Sequence, residues 1–187
     1  MSRLYGPAIH QAFVFPDFDA ALERFSAGGI GPFWTMESGG MGIYRGEEHP
    51  LSMDVAFFYS GDTCFEILSP HGDQKSAYGE FLERNPAGGL HHIAYYSEDF
   101  DTTLSRSAEA GKPLTIVQEF RLPGSDEMVE IYCEPTDAKN PILFQFVRHG
   151  PFDAWFEAMH REAANWDGSD PIRDARVSMA AAMQQRS

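Results

Sequence analysis

Gly89-Leu90-His91-His92-Ile93-Ala94-Tyr95-Tyr96 is the stretch whose reading decides the fold. A glycine pair leads into a short apolar and aromatic run, the pattern of a buried strand of about 5–6 residues. Ser97-Glu98-Asp99-Phe100-Asp101 follows, and Asp99 or Asp101 offers an N-cap for a helix through residues 103–108. A histidine heading such a strand reads first as a packed core residue and only second as a metal ligand. A second copy of the pattern separates the two readings.

That copy is Ile9-His10-Gln11-Ala12-Phe13-Val14-Phe15, then Pro16-Asp17-Phe18-Asp19-Ala20-Ala21-Leu22. An offset of 82 residues carries Phe18 onto Phe100 and, with it, His10 onto His92, Ala12 onto Ala94 and Leu22 onto Leu104. The period is too long for a solenoid repeat of about 20–50 residues, so it marks a duplicated module of several elements. His92 is thereby the partner of His10. His91, its neighbour, is expected to point away on the same strand as a structural residue.

Composition bounds the rest. With 43% apolar and 13% aromatic residues in 187, the chain can bury a sizeable core as one compact unit or two half-domains. A formal charge of −14 argues against nucleic acid and anionic membranes, which need clustered Lys and Arg. It also weighs against a large anionic ligand. Cys64 and Cys133 form no CxxC pair, so neither a zinc knuckle nor a disulfide framework is indicated. The first residues lack the apolar core of a signal peptide, and no run nears the ~18–20 apolar residues of a membrane span. The expectation is a cytoplasmic protein.

Read in order, residues 8–15 predict a strand and 17–27 a helix stopped by Gly28-Gly29. Residues 39–50, rich in glycine and charge, predict a loop or weak strand. Met53–Tyr59 and Thr63–Leu68 flank Ser60-Gly61-Asp62 as a hairpin. A short helix from Ser76 to Arg84 bridges to the second module. There a strand at 91–97, a helix at 99–110 and strands at 114–120, 128–133 and 141–148 repeat the order. The fold class is α+β: two tandem βαβββ modules over 8–70 and 89–149, a linker over 71–88 and a helical extension over 150–187. In that extension Phe152, Trp155, Phe156, Met159, Ala163 and Trp166 form an apolar stripe. It is expected to cover a sheet, with a dimer contact or a lid as alternatives. Asp170-Pro171 predicts the start of a further helix.

Glu66 lies inside the apolar strand Cys64-Phe65-Glu66-Ile67-Leu68. An ionised carboxylate there costs several kcal/mol unless it is paired, metal-bound or facing solvent. Alternation puts Glu66 on the face of Cys64 and Leu68, with Phe65 and Ile67 opposite. Gln145 is the polar residue of the corresponding last strand, Ile142–Val147, at an offset of 79 from Glu66. His10, Glu66, His92 and Gln145 would then make two equivalent pairs, a donor set for one divalent metal ion: Mn, Co, Ni, Zn, Fe or Mg. A neutral Gln leaves such a site near +1, and open positions could take two substrate oxygens and stabilise an enolate. Glu66, or a metal-bound water, could move the proton. His49, His71, His149 and His160 read as surface residues.

The double βαβββ pattern with its H-x-A strands resembles the vicinal oxygen chelate superfamily: glyoxalase I, methylmalonyl-CoA epimerase, extradiol dioxygenases and bleomycin-binding resistance proteins. Phe65-Glu66-Ile67-Leu68-Ser69-Pro70, Phe81-Leu82-Glu83-Arg84, Gly89–Ala94 and Glu130–Asp137 most resemble the epimerase branch over residues 8–148. The resemblance implies modules joined in a cupped mixed sheet, a metal on His10, Glu66 and His92, and a homodimer, with the 152–166 stripe as a candidate contact. The fourth ligand falls on Phe144 without a gap or on Gln145 with one extra residue. The acidic surface shows no basic cluster for a CoA phosphate, and Phe33-Trp34 suggests a smaller apolar or aromatic substrate. Three readings follow: a metal-dependent isomerase, epimerase or lyase, an Fe(II) ring-cleaving dioxygenase, and a non-catalytic binder of a small, cationic drug.

Overall fold

The computed structural model describes residues 2–121, 125–136, 138, 139, 141–150 and 152–184. Strand β1 (Ala8–Val14), helix α1 (Phe18–Ala27) and strands β2 (Phe33–Tyr44), β3 (Glu47–Ser60) and β4 (Thr63–Pro70) come first. Helix α2 (Ala77–Arg84) leads to β5 (Gly89–Tyr96), α3 (Phe100–Glu109), β6 (Leu114–Arg121), β7 (Met128–Pro135) and β8 (Leu143–Val147), which repeat that order. The chain ends in α4 (Asp153–Ala164), β9 (Ile172–Asp174) and α5 (Ala175–Gln184).

The duplicated N-cap signals form as the side-chain chemistry requires. Asp17 accepts from the Ala20 amide and Asp99 from those of Asp101 and Thr102, satisfying donors that a first helical turn leaves orphaned. The last turns end at Gly28 and Ala110. Gly88 is obligatory at the entry to β5: its φ is +74°, and a Cβ there would lie 2.5 Å from the Val14 carbonyl oxygen.

The nine strands of the described residues make one mixed sheet in the order β3-β4-β1-β5-β8-β7-β6-β2-β9, and β2 also pairs with β3. The sheet therefore curls round until its first strand meets its eighth, as a cup. At its centre β1 runs parallel to β4, β5 parallel to β8, and β1 antiparallel to β5. That arrangement is a local two-fold between the repeats. Helix α1 seals Phe33, Ala56, Phe58 and Ile67 on the outer face, and α3 seals Tyr95, Ile131, Cys133 and Phe146. Ala12, Val14, Cys64 and Leu68 belong to a separate cluster with Trp155 and Met159 of α4.

Three expectations are corrected. Residues 39–50 are the outer half of a hairpin whose ladder runs unbroken from Trp34↔Phe57 to Tyr44↔Glu47. Arg45 and Gly46 both have positive φ, as a type I′ turn demands, and backbone pairing carries the ladder through a stretch with few apolar side chains. The tail does not turn helical at Asp170-Pro171. The Phe33 amide bonds the Pro171 carbonyl, and Ile172–Asp174 add a parallel strand to β2 before α5 begins. The edge of β2 offers unpaired backbone groups, and this pairing satisfies them where an early helix would not. The third correction concerns His91 and belongs to the site.

Candidate metal centre

Four neighbouring strands each send one polar side chain to the floor of the cup. In register His10 of β1 sits beside Cys64, and Ala12 beside both Glu66 of β4 and His92 of β5. Ala94, two residues on from His92, pairs with Gln145 of β8. His10, Glu66, His92 and Gln145 are all buried, His92 completely. Both His10 Nε2 and His92 Nε2 approach Glu66 Oε2, at 3.3 and 3.4 Å. These are ion-pair distances without the alignment of a hydrogen bond, since none of the three atoms has a hydrogen-bond partner. Burial works to raise the Glu66 carboxyl, but the two imidazoles outweigh it and hold it down to about 2. Burial lowers His92 despite the partly compensating Glu66 charge. The result is an ionised carboxylate beside a neutral ring, the protonation states a cation requires.

His10, Glu66 and His92 offer one donor atom each, all within 4.8 Å of one another. Gln145 brings a fourth. Its Nε2 donates to Tyr132 Oη at 2.9 Å, and Tyr78 Oη donates to the same oxygen at 2.7 Å. The amide is thereby oriented with Oε1 turned away, buried and without a hydrogen-bond partner. Phe144, the competing candidate, lies on the opposite face against Tyr5 and Tyr95. Buried polar atoms are ordinarily satisfied. An orphan set of two imidazole nitrogens, a carboxylate oxygen and an amide oxygen on one floor fits a divalent cation by its donor chemistry.

The sequence reading misses two residues, Glu130 in the cleft and His91 beneath it. Glu130 shares a face with Tyr132 on β7 and lines the cleft. Burial, opposed in part by hydrogen bonds to Tyr132 and Gln145, raises its carboxyl above the ordinary value. Period-2 alternation in Met128-Val129-Glu130-Ile131-Tyr132 was the available signal. His91 was read as turned away from His92, yet its Nδ1 lies 2.9 Å from His92 Nδ1. The reason is a bulge: Ala12 pairs with His92 and Phe13 with Leu90, leaving His91 as an extra residue that breaks the alternation. His71 and His160 instead pair with Asp54 and Asp62 near the surface. His149 stacks on Tyr96 and bonds Asp153, and His49 lies within β3.

Above the floor the cleft holds about 760 Å³ and is walled by apolar side chains, among them Met36, Leu51, Val55, Phe57 and Phe120. The tail completes the wall. Phe156 of α4 stacks over His10 at 6.4 Å between centroids, and Trp155 meets Phe57 edge-on at 5.5 Å. Trp155 Nε1 donates to Ser178 of α5, so the two tail helices brace each other. At the rim Arg121 and Arg148 are paired with Asp126 and Glu127.

The chain is 32% identical over 109 residues to an ethylmalonyl-CoA/methylmalonyl-CoA epimerase of Cereibacter sphaeroides, covering 58% of this chain and 73% of that one. It is 30% identical over 100 residues to the mitochondrial methylmalonyl-CoA epimerase of Bos taurus, covering 52% of this chain and 55% of the relative. The chain thus spans little more than half of the bovine protein. In structure it resembles a methylmalonyl-CoA epimerase of Mycobacterium tuberculosis at TM-score 0.50 and 17% identity, covering 82% and 95% of the two chains. It likewise resembles a mutant 4-hydroxymandelate synthase of Streptomyces coelicolor at TM-score 0.51 and 13% identity, covering 78% and 49%. At such identities the structural likeness speaks for the fold. The model of one family matches residues 9–127. The chain therefore belongs to the glyoxalase/bleomycin resistance protein/dioxygenase superfamily.

Proposed function

We propose that this protein is a metal-dependent isomerase, epimerase or lyase that forms an enolate of a small carbonyl or acyl substrate held between its two repeats. The observation that carries this is the orphan donor set: His10, Glu66, His92 and Gln145 converge from four adjacent strands with no hydrogen-bond partner for their inward atoms. A bound divalent cation would supply a Lewis acid that polarises a carbonyl and eases charge build-up beside it. The similarity to proteins named as epimerases supports the reaction class.

The remaining chemistry belongs to the chain. Glu66 and Glu130 are two carboxyls whose surroundings push them in opposite directions, the arrangement that separates a base from an acid. Glu66 stays ionised as ligand and is the first candidate base. Glu130, on the cleft wall, would return the proton. The apolar walls and α4 exclude water from the floor, which strengthens every charge interaction made there. Rim arginines already paired with acidic neighbours, and a chain charge of −14, favour an apolar or aromatic substrate without a polyphosphate carrier.

The test is metal analysis of the purified protein, followed by deuterium wash-in at the α-carbon of a panel of acyl thioesters and 2-oxo acids. Exchange that needs a stoichiometric divalent ion supports the proposal. Metal-dependent oxygen uptake without exchange would move the assignment to a dioxygenase. Tight ligand binding with neither would make it a binding protein.

A further inference from the structure

We infer that His91 is a positioning residue whose Nδ1 holds His92 as the Nδ1–H tautomer, leaving the bare Nε2 of His92 turned toward Glu66. The inference deepens the metal-site reading and rests on it for the role of His92.

A neutral imidazole carries one N–H on two nitrogens, so each ring must donate at one end and accept at the other. His91 is buried between the rings of Tyr78 and Phe81, both 5.1 Å away, and its Nε2 faces the Ala77 carbonyl oxygen at 3.3 Å. A carbonyl can only accept, so the proton of His91 sits on Nε2 and its Nδ1 is bare. That bare nitrogen lies 2.9 Å from His92 Nδ1. Two lone pairs facing each other at that distance would repel, so His92 carries its proton on Nδ1. Its Nε2 is then the free lone pair, 3.4 Å from Glu66 Oε2 and out of line for a hydrogen bond to it, so that nitrogen and carboxylate are two acceptors turned to one space, as two ligands of a single cation are.

The reference point of the relay is itself fixed. The Ala77 amide donates to Gln118 Oε1 at 2.8 Å, so the first turn of α2 cannot swing away from His91. The bulge supplies the geometry, because only the broken alternation of β5 brings two successive rings together, nearly perpendicular at 5.2 Å between centroids. Metal-bound histidines generally need a partner on the second nitrogen, most often a carboxylate or a carbonyl. Here an imidazole takes that place and passes the tautomer choice of a backbone carbonyl on to the ligand.

The experiment is long-range proton–nitrogen NMR on 15N-histidine-labelled, metal-free protein at about pH 8, where ordinary imidazoles are neutral. Zn²⁺ affinity is measured in parallel by competition with a chromophoric chelator. We expect His92 protonated at Nδ1 and His91 at Nε2 in the natural protein. His91→Phe keeps the ring shape and removes the acceptor. It should leave His92 with a mixed or inverted tautomer and weaken Zn²⁺ binding by about 10- to 100-fold. His91→Asn, whose Oδ1 can accept where Nδ1 did, should restore the tautomer and most of the affinity. A proton on Nε2 of His92 in the natural protein would overturn the inference, whether or not the variants fold. So would an unchanged tautomer and affinity in a folded His91→Phe. Failure of the natural protein to bind Zn²⁺ or other divalent ions, with the expected tautomers present, would instead overturn the metal-site reading alone.

Discussion

The two repeats place their histidines at equivalent points, but they hold them by different means. His10, from the first repeat, has neither ring nitrogen in a hydrogen bond and is fixed by packing, between Phe57 at 5.7 Å and Phe156 of the tail at 6.4 Å. His92, from the second, is tied through Nδ1 to His91. The acceptors diverge as well. The first repeat supplies the charged Glu66, and the second the neutral Gln145 tethered to Tyr132. Duplication has thus kept the backbone positions and divided the chemistry, charge on one side and hydrogen-bonded orientation on the other. Aromatic packing holds a ring in place without dictating its tautomer, whereas a hydrogen bond dictates both.

Four experiments press on that contrast. The largest effect is expected from His10→Ala and His92→Ala, each of which should take divalent-metal content to background by elemental analysis while circular dichroism stays native. Should one variant keep its metal, the two histidines are not equivalent ligands. Next comes an exchange of acceptors. Glu66→Gln removes the single charged donor and should weaken metal binding by at least about 100-fold, in line with a charge-assisted contact of about 3 kcal/mol. Gln145→Glu should bind as tightly as the natural protein or tighter but slow α-exchange, because a second carboxylate dulls the Lewis acid. Equal losses in the two variants would erase the distinction between repeats.

The third concerns pH. Folded His91 and His92 lie below their ordinary value, chiefly through burial, while the unfolded chain protonates both near pH 6.5. Their contribution to stability is therefore intact above about pH 6.5 and is lost as pH falls below it. Urea unfolding of metal-free protein between about pH 7 and 5.5 should show a loss approaching 2.7 kcal/mol per pH unit at most, and about half of that in His91→Phe. A flat profile would mean that the rings are charged in the folded state. Glu66 acts in a separate window, its contribution fading only as pH falls from the ordinary carboxylate range toward about 2. The smallest effect belongs to Phe156→Ala, a half-buried ring whose loss should cost about 1–3 kcal/mol in thermal or urea unfolding. It should also loosen metal binding by several-fold through His10. An unaltered metal affinity would show that packing from the tail does not position that ligand.

Much of this was legible in the chain itself. The repeat offset paired His10 with His92, alternation put Glu66 on the face of Cys64 and Leu68, and Asp17 and Asp99 marked both helix starts. Those signals are local, since one strand's period or one helix's first turn is decided within a few residues. The choice between Phe144 and Gln145 was not local. A one-residue difference in a loop inverts every side chain of the strand that follows, and only pairing of Gln145 with Tyr132 shows which residue faces the cleft.

The sequence by itself determined a doubled βαβββ chain with an equivalent histidine in the first strand of each repeat, because hydrophobic period, caps and repeat spacing are written along the backbone. The tertiary structure alone decided that His91 bears on His92, that Glu130 lines the cleft, that α4 closes its wall and that β9 extends the edge of β2. Each of those depends on a bulge, a cross-strand register or a long-range edge pairing. In each case, a residue's meaning is set by a neighbour far away in the chain.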